Sequence, residues 1–445
     1  MKKVVLSQIA PFSAALTATT FIVLPFHAFL TVWAGSSFGH YDWFRLWIEL
    51  VLLVLAPLAA ALVWQSPRLR DAFRRDALVW TILIYIVWQL LLGAWALARG
   101  QVNHTALLTG WAIDLRFVLF LLVAWVAAFY RPWLAARWRE LLLIPAAATI
   151  AFGLLQAWLL PADFLKHFGY GPKTVQPFTT VDQKSGYVRL QSTLRGPNPF
   201  GAYLVLALAA FGSFLVRGGR RHWRVAAGAL FAGGAIALGA TYSRSAYIGM
   251  VLSLIVLAWL LLTAQRARQL LLAAVAVGVL VAGGLFLALR HNDRFQNTFF
   301  HTDKHSASAE SSNEVRTLSL QQGARDVLRH PLGRGPGSAG PASVHNGTTR
   351  IAENYYLQIG QEVGWLGLAL FLAINVLVVC KLWQRRNGQL ASVLLASFVG
   401  ISFVNLLSHA WADDTLGMLW WGFAGVALGA PAAMPKKTTR RKEAA

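Results

Sequence analysis

Two things are scarce in this 445-residue chain, cysteine and charge. The single cysteine, Cys380, sits in an apolar run. It excludes an intramolecular disulfide and a cysteine-based metal cluster. Only 13% of residues are charged, against about 25% in soluble domains. The glycine-rich stretches lack a Walker lysine-serine pair, which removes a P-loop nucleotide site. Acids are scarcer than bases, and the formal net charge is +22.

What is present is hydrophobic: 57% of residues, with 19 tryptophans. Trp collects at membrane–water interfaces, so this composition describes a polytopic, all-α membrane protein. A spanning helix needs ~20 mostly apolar residues. Twelve candidate spans follow, at roughly 10–33, 44–64, 77–98, 106–129, 141–160, 200–216, 225–241, 246–263, 270–289, 364–383, 390–408 and 415–430. The first begins after Met-Lys-Lys but has no small-residue cleavage site, so it reads as an anchor rather than a removed signal.

The charges fix an orientation. With the N-terminus in the cytoplasm, the cytoplasmic segments hold more than half of the 40 basic residues, and only Asp71, Asp76, Glu140 and Glu443 oppose them. Short basic loops on alternate sides satisfy the positive-inside rule and place both termini in the cytoplasm. The clusters mark topology and lipid headgroups, not nucleic acid. The chain then reads as one membrane domain, 1–445, with outer loops at 161–199 and 290–363 and a basic cytoplasmic tail at 431–445.

Cations in the outer loops work against that rule, so they call for another reason. They include Arg189, Arg195, Arg244, Arg316, Arg325 and Arg334. Together they suggest an anionic ligand on the outer face; pairing with outer acids such as Asp293, Glu310 and Asp326 is the plainer alternative. Three stretches stand out. In "VRLQSTLRGPNPFGAYL", 188–204, prolines force a turn into a membrane helix, whose free N–H groups favour an anion. In "GATYSRSAYIGM", 239–250, Arg244 stands alone at a tight outer turn.

The third stretch runs from Glu314 to Tyr356. Ser311-x-x-Glu314 fits a capping box, and a helix over about 315–329 ends at His330-Pro331. Leu320, Ala324, Val327 and Leu328 give it one docking face. "PLGRGPGSAGPAS" is a Gly/Pro loop that either lets a ligand approach the backbone or is a plain linker. "ENYYLQIGQEVGWLG" then brings Glu353 and Asn354 to the membrane.

These motifs, in this order, resemble the bacterial O-antigen ligase and O-antigen polymerase family: "TYSRSA", "EVRTLSLQQGARDVLRHPLGRGPG", "STLRGPNPFGAYL" with its Pro-Asn pair, and "ENYYLQIGQEVGWLG". In the last, Asn354 is followed at family spacing by Gly364-Trp365-Leu366-Gly367. The resemblance implies about twelve membrane helices with a large, partly helical outer loop, a fold similar to the C-type glycosyltransferases. It implies transfer of a glycan from an undecaprenyl-pyrophosphate donor to an acceptor hydroxyl, lipid A-core or another glycan, without metal or cofactor. The site would lie on the outer side of the bacterial inner membrane. Ligases of the family carry His where this chain has Glu353, and His345-Asn346 fails the spacing.

Breaking a glycosyl–phosphate bond leaves a charged pyrophosphate, and arginine's planar fork matches phosphate oxygens. The expected catalytic residues are therefore Glu353 as general base, with Arg244 and Arg316 as cations. Arg195, Arg189, Asn198, Arg325, Asn354 and His345 are the expected substrate contacts. Asp114, Arg116 and His27 lie within spans and read as interior structural groups, and the histidines of "HTDKHSASAESS" lack a ligand geometry. The partners expected are the lipid-linked donor, the acceptor and membrane lipids. A polymerase or a protein O-oligosaccharyltransferase is the near alternative. A lipid-linked sugar transporter is the distant one, disfavoured because the polar residues gather on one face.

Overall fold

A computed structural model describes residues 2–181, 187–290, 292 and 312–430. Asp293, Arg294, Glu310, Ser311 of the capping box, all but the last residue of "HTDKHSASAESS" and the tail 431–445 lie outside these residues. The described chain is helical. Its helices are α1 (Lys2–Val23), α2 (His27–Phe38), α3 (Tyr41–Arg45), α4 (Trp47–Gln65), α5 (Pro67–Arg74), α6 (Ala77–Ala98), α7 (His104–Tyr130), α8 (Trp133–Ala136) and α9 (Trp138–Trp158). After a short antiparallel pair, Thr179–Thr180 with Val188–Arg189, come α10 (Pro197–Arg217), α11 (Arg221–Ala240), α12 (Arg244–Leu261), α13 (Gln265–Leu289), α14 (Ser312–Arg329), α15 (Tyr355–Gln384), α16 (Gln389–Asn405) and α17 (Asp414–Gly429).

All twelve expected spans are helical. Among the described residues ten helices are long and apolar enough to cross a membrane, the first of them Gln8–Phe38, bent at the Leu24–Phe26 turn around Pro25. The last two expected spans form shorter helices, of 17 and 16 residues. They fall short of the ~20 residues that cross lipid unaided. In α17 every residue is buried, so protein rather than lipid surrounds it. Its Gly425 lies so near α7 that a Cβ there would sit 2.2 Å from the Leu121 carbonyl oxygen. Such close backbone approach is how helices associate where lipid removes the hydrophobic drive. α10 buries every residue from Phe200 to Phe211, while α13, at the periphery, buries none.

The helix α15 begins before the expected 364–383 span and is broken inside it. Gly364 has φ +67 and ψ −169, which interrupts the intrahelical ladder. Several of the freed backbone groups find partners outside the helix, as buried polar groups require. The carbonyls of Gln361 and Glu362 accept from the backbone N–H of Arg334 and Gly335, at 2.9 and 2.8 Å. The Val363 carbonyl accepts from the Trp88 indole at 2.9 Å, and Trp365 N–H donates to Pro331 at 2.9 Å.

The Gly/Pro loop is therefore neither a linker nor a ligand cradle. Residues 335–340 are buried, and the backbone N–H of Gly337 donates to the Glu362 carboxylate at 3.0 Å. Its glycines serve close contact within the protein itself, Gly333 and Gly337 against backbone, Gly335 and Gly340 against the side chains of Ala96 and Gln358.

α14 docks on the start of α15 through only part of the expected face. Ala324 and Leu328 are exposed. Val327 of that face makes the contact together with Gly323, which was not expected, a Cβ at 323 lying only 2.8 Å from Ala352 Cβ. A glycine in the contact lets the helix sit closer than an apolar side chain allows, so the buried stripe turns toward it.

Candidate active-site cleft

The site is built upward from α15. Asn354 caps this helix, its Oδ1 accepting from Leu357 N–H at 3.0 Å, while its Nδ2 donates to the Leu406 carbonyl at 3.0 Å. The cap thus ties the start of α15 to the end of α16. Glu353, just before it, has φ +49, in the left-handed region. A non-glycine residue there carries strain of about 1–3 kcal/mol, which local structure must hold in place.

That geometry presents Glu353 to a cleft of about 250 Å³ that is also lined by Arg195, Asn198, Ser408, His409 and Asp413. Arg316 of α14 reaches the same carboxylate, its Nε donating to Glu353 Oε2 at 2.6 Å. Three regions far apart in sequence meet here: the start of α10, the segment entering α15 and the join between α16 and α17.

Beneath the cleft lies a buried charge network centred on Asp414. Its carboxylate binds both Arg195 and Arg116, and accepts from His27 Nε2 at 3.1 Å. Arg116 also approaches Glu49 at 3.5 Å. The Trp47 indole, a donor only, donates to His27 Nδ1 at 2.6 Å, which leaves Nε2–H for Asp414. His27 and Arg116 are thus interior structural groups, as expected. Asp114 is interior too, beside Gln89 and Tyr355 at 3.4 Å each. Arg195 keeps 40% of its side chain accessible, so one guanidinium is anchored from below and presented to the cleft above.

Two titratable groups of the cleft are shifted by their surroundings. Burial holds the His409 imidazole down at about 4, against a smaller opposing pull from Glu353. It is therefore neutral near pH 7, and its Nε2 is buried without a hydrogen-bond partner. Burial, then the neighbouring Asp414 charge, raises the Asp413 carboxyl. Asp413 Oδ1 meanwhile caps α17, accepting from Thr415 and Leu416 N–H at 3.1 and 3.0 Å.

The other expected residues fall around the cleft rather than in it. Arg189 donates to Asn198 Oδ1 at 2.7 Å and to the Thr241 carbonyl at 3.0 Å, bracing Asn198 from behind. Arg244 is the first residue of α12 and is not among the lining residues. It stands where α12 meets α10, since a Cβ at Gly201 would lie 3.1 Å from Ser243 Cβ. Arg325 is exposed on α14, and His345 is exposed, with its carbonyl accepting from Asn103. Arg334 instead clamps Asp326, at 2.9 and 3.0 Å. Among the described residues no group of three His, Cys, Asp or Glu side chains is placed to hold a metal.

Sequence reasoning missed His409, Asp413 and Asp414. The signal was present: "SHAWADDT" sets three titratable groups into the short join between two apolar runs.

Residues 228–372 match the family model described as O-antigen ligase. A search of curated proteins finds no match. The matched stretch runs from α11 into α15 and includes Arg244, Arg316, Glu353 and the Gly364 break. Arg195, Asn198 and His409 come from outside it. The cleft therefore forms where the matched stretch packs against the remaining helices.

Proposed function

We propose that this cleft transfers a glycan from an undecaprenyl-pyrophosphate-linked donor to an acceptor hydroxyl, on the outer face of the bacterial inner membrane. The observation that carries the reading is the meeting of Arg195 and Glu353 at one cleft, with Arg316 bound to the Glu353 carboxylate. The donor's pyrophosphate gains charge as the glycosyl bond breaks. Arg195 and Arg316 are the cations placed to meet it, and Arg244 adds positive charge from the start of α12. Preorganised donors of this kind are often the largest catalytic term.

The outward placement rests on the short basic loops at the other end of the bundle, which the positive-inside rule assigns to the cytoplasm. In a Cys380→Ala background, a cysteine at His345→Cys should react with an impermeant thiol reagent added outside, and one at Arg220→Cys should not. The opposite labelling would turn the site inward and end the proposal.

Glu353, where the family's ligases carry His, favours an acceptor other than the usual lipid A-core, such as a second lipid-linked glycan. Purified chain in liposomes, given lipid-linked oligosaccharide with either acceptor, separates the readings by the product formed. Product with neither acceptor would count against both.

A further inference from the structure

Glu353 is poorly placed to accept a proton. Its Oε2 already takes a 2.6 Å hydrogen bond from Arg316, so that oxygen is occupied. Across the same cleft, His409 offers the opposite features. It lines the cleft, its Nε2 is buried, and that nitrogen has no hydrogen-bond partner. Buried polar atoms without partners are rare in folded proteins and call for a reason. An acceptor hydroxyl entering the cleft would supply the missing partner.

We infer that His409 is the general base of this site, and that Glu353 positions Arg316 rather than accepting the proton. The inference rests on the glycan-transfer reading. In the step, the acceptor oxygen attacks the anomeric carbon and forms the new C–O bond. The bond from that carbon to the phosphate oxygen breaks, and its electron pair leaves with the lipid pyrophosphate. The hydroxyl proton passes to His409 Nε2 and then to water. The imidazolium so formed faces Glu353 and Asp413, which stabilise it, and Arg195, which opposes it. Arg316 lies behind Glu353 and Asp414 behind Arg195. A neutral imidazole near pH 7 is in the form a base requires.

The test uses the full chain in liposomes with a synthetic undecaprenyl-pyrophosphate oligosaccharide as donor. His409→Gln should bind this donor within about two-fold of wild type yet lose turnover ~100-fold or more, the usual contribution of a positioned base. Glu353→Gln should keep measurable turnover. Its pH profile should also move: losing the Glu353 charge removes a force that raises the His409 pKa, so the acid limb of kcat should shift to lower pH. A residue with only a structural role would not shift that limb.

Should His409→Gln fail to fold, carbethoxylation of wild type gives the second reading. Diethylpyrocarbonate should inactivate the enzyme by modifying His409, and bound donor should slow it. Inactivation with His409 unmodified would overturn the inference. So would near-normal turnover in His409→Gln, or complete loss in Glu353→Gln with donor still bound. Failure of wild type to bind the donor would instead sink the transfer reading itself, and this inference with it.

Discussion

At the end of the bundle away from the cleft, cations lie mainly on tryptophan rings and backbone carbonyls. Arg386 stands 4.8 Å from the Trp383 ring, Arg268 5.2 Å from Trp259 and Arg70 5.6 Å from Trp64, while Arg385 bonds the carbonyls of Ala427 and Ala430 at 2.6 and 2.7 Å. Lys381 on Asp76 is an ion pair at that end. At the cleft end four arginines lie on carboxylates: Arg195 and Arg116 on Asp414, Arg316 on Glu353, Arg334 on Asp326. The same side chain serves two purposes. An arginine on a ring or carbonyl needs only to reach the interface, as a topology signal does. An arginine gripped by a carboxylate is held in one geometry, which a site for a charged ligand requires.

The comparison breaks first at Asp414. Asp414→Asn removes the charge shared by two arginines in a buried position, and such a loss typically costs roughly 3–5 kcal/mol. We expect a clear drop in the thermal midpoint of the purified protein, with turnover lost as well. An unchanged midpoint would show that the network contributes nothing to the fold.

Next comes a paired test of the two ends. Arg316→Ala should cut glycan transfer by ~100-fold or more, as loss of one preorganised donor does in other enzymes. Arg316→Lys should recover little, because an ammonium lacks the planar fork. Arg70→Ala, on a tryptophan ring at the far end, should leave turnover within about two-fold, since exposed cation–π contacts contribute only ~0.5–1 kcal/mol to stability. Equal losses at both ends would erase the distinction.

A smaller effect is expected at the break in α15. Gly364→Ala puts a Cβ 2.3 Å from the Pro331 carbonyl oxygen, in a backbone conformation that alanine resists. The 331–340 loop should loosen, which limited proteolysis of intact protein would register as faster cleavage there.

The smallest effect depends on pH. Burial alone would raise the Asp326 carboxyl, but the bonds from Arg334 and Gln361 and the charges of Arg334 and His330 outweigh it and hold the group below its usual range. A lowered carboxyl stabilises the fold above its ordinary pKa of ~3.9 and loses that contribution as pH falls through the lowered value. The clamp between α14 and the loop should therefore weaken only below about pH 4. Asp326→Asn should weaken it at neutral pH, again read by proteolysis.

The helices and where they run along the chain were legible before any fold was known. Hydropathy and basic loops act locally, because each span must satisfy its own backbone in lipid and each loop meets headgroups on its own. Arg316 and Arg195 could be singled out as cations working against the topology rule, and Glu353 and Asn198 by the family resemblance of their motifs. The sequence pattern did not show that Gly323 would turn the docking face of α14, or that the Gly/Pro loop would be buried against a broken helix. Nor did it bring out His409, Asp413 and Asp414, three polar residues in a short turn. These depend on which helix ends lie side by side. Glu353 and His409 sit in one cleft because Asn354 fastens α15 to α16. Arg195 joins them because a buried aspartate at the start of α17 holds it from below. Such contacts between distant segments are decided by packing, which no local window of sequence contains.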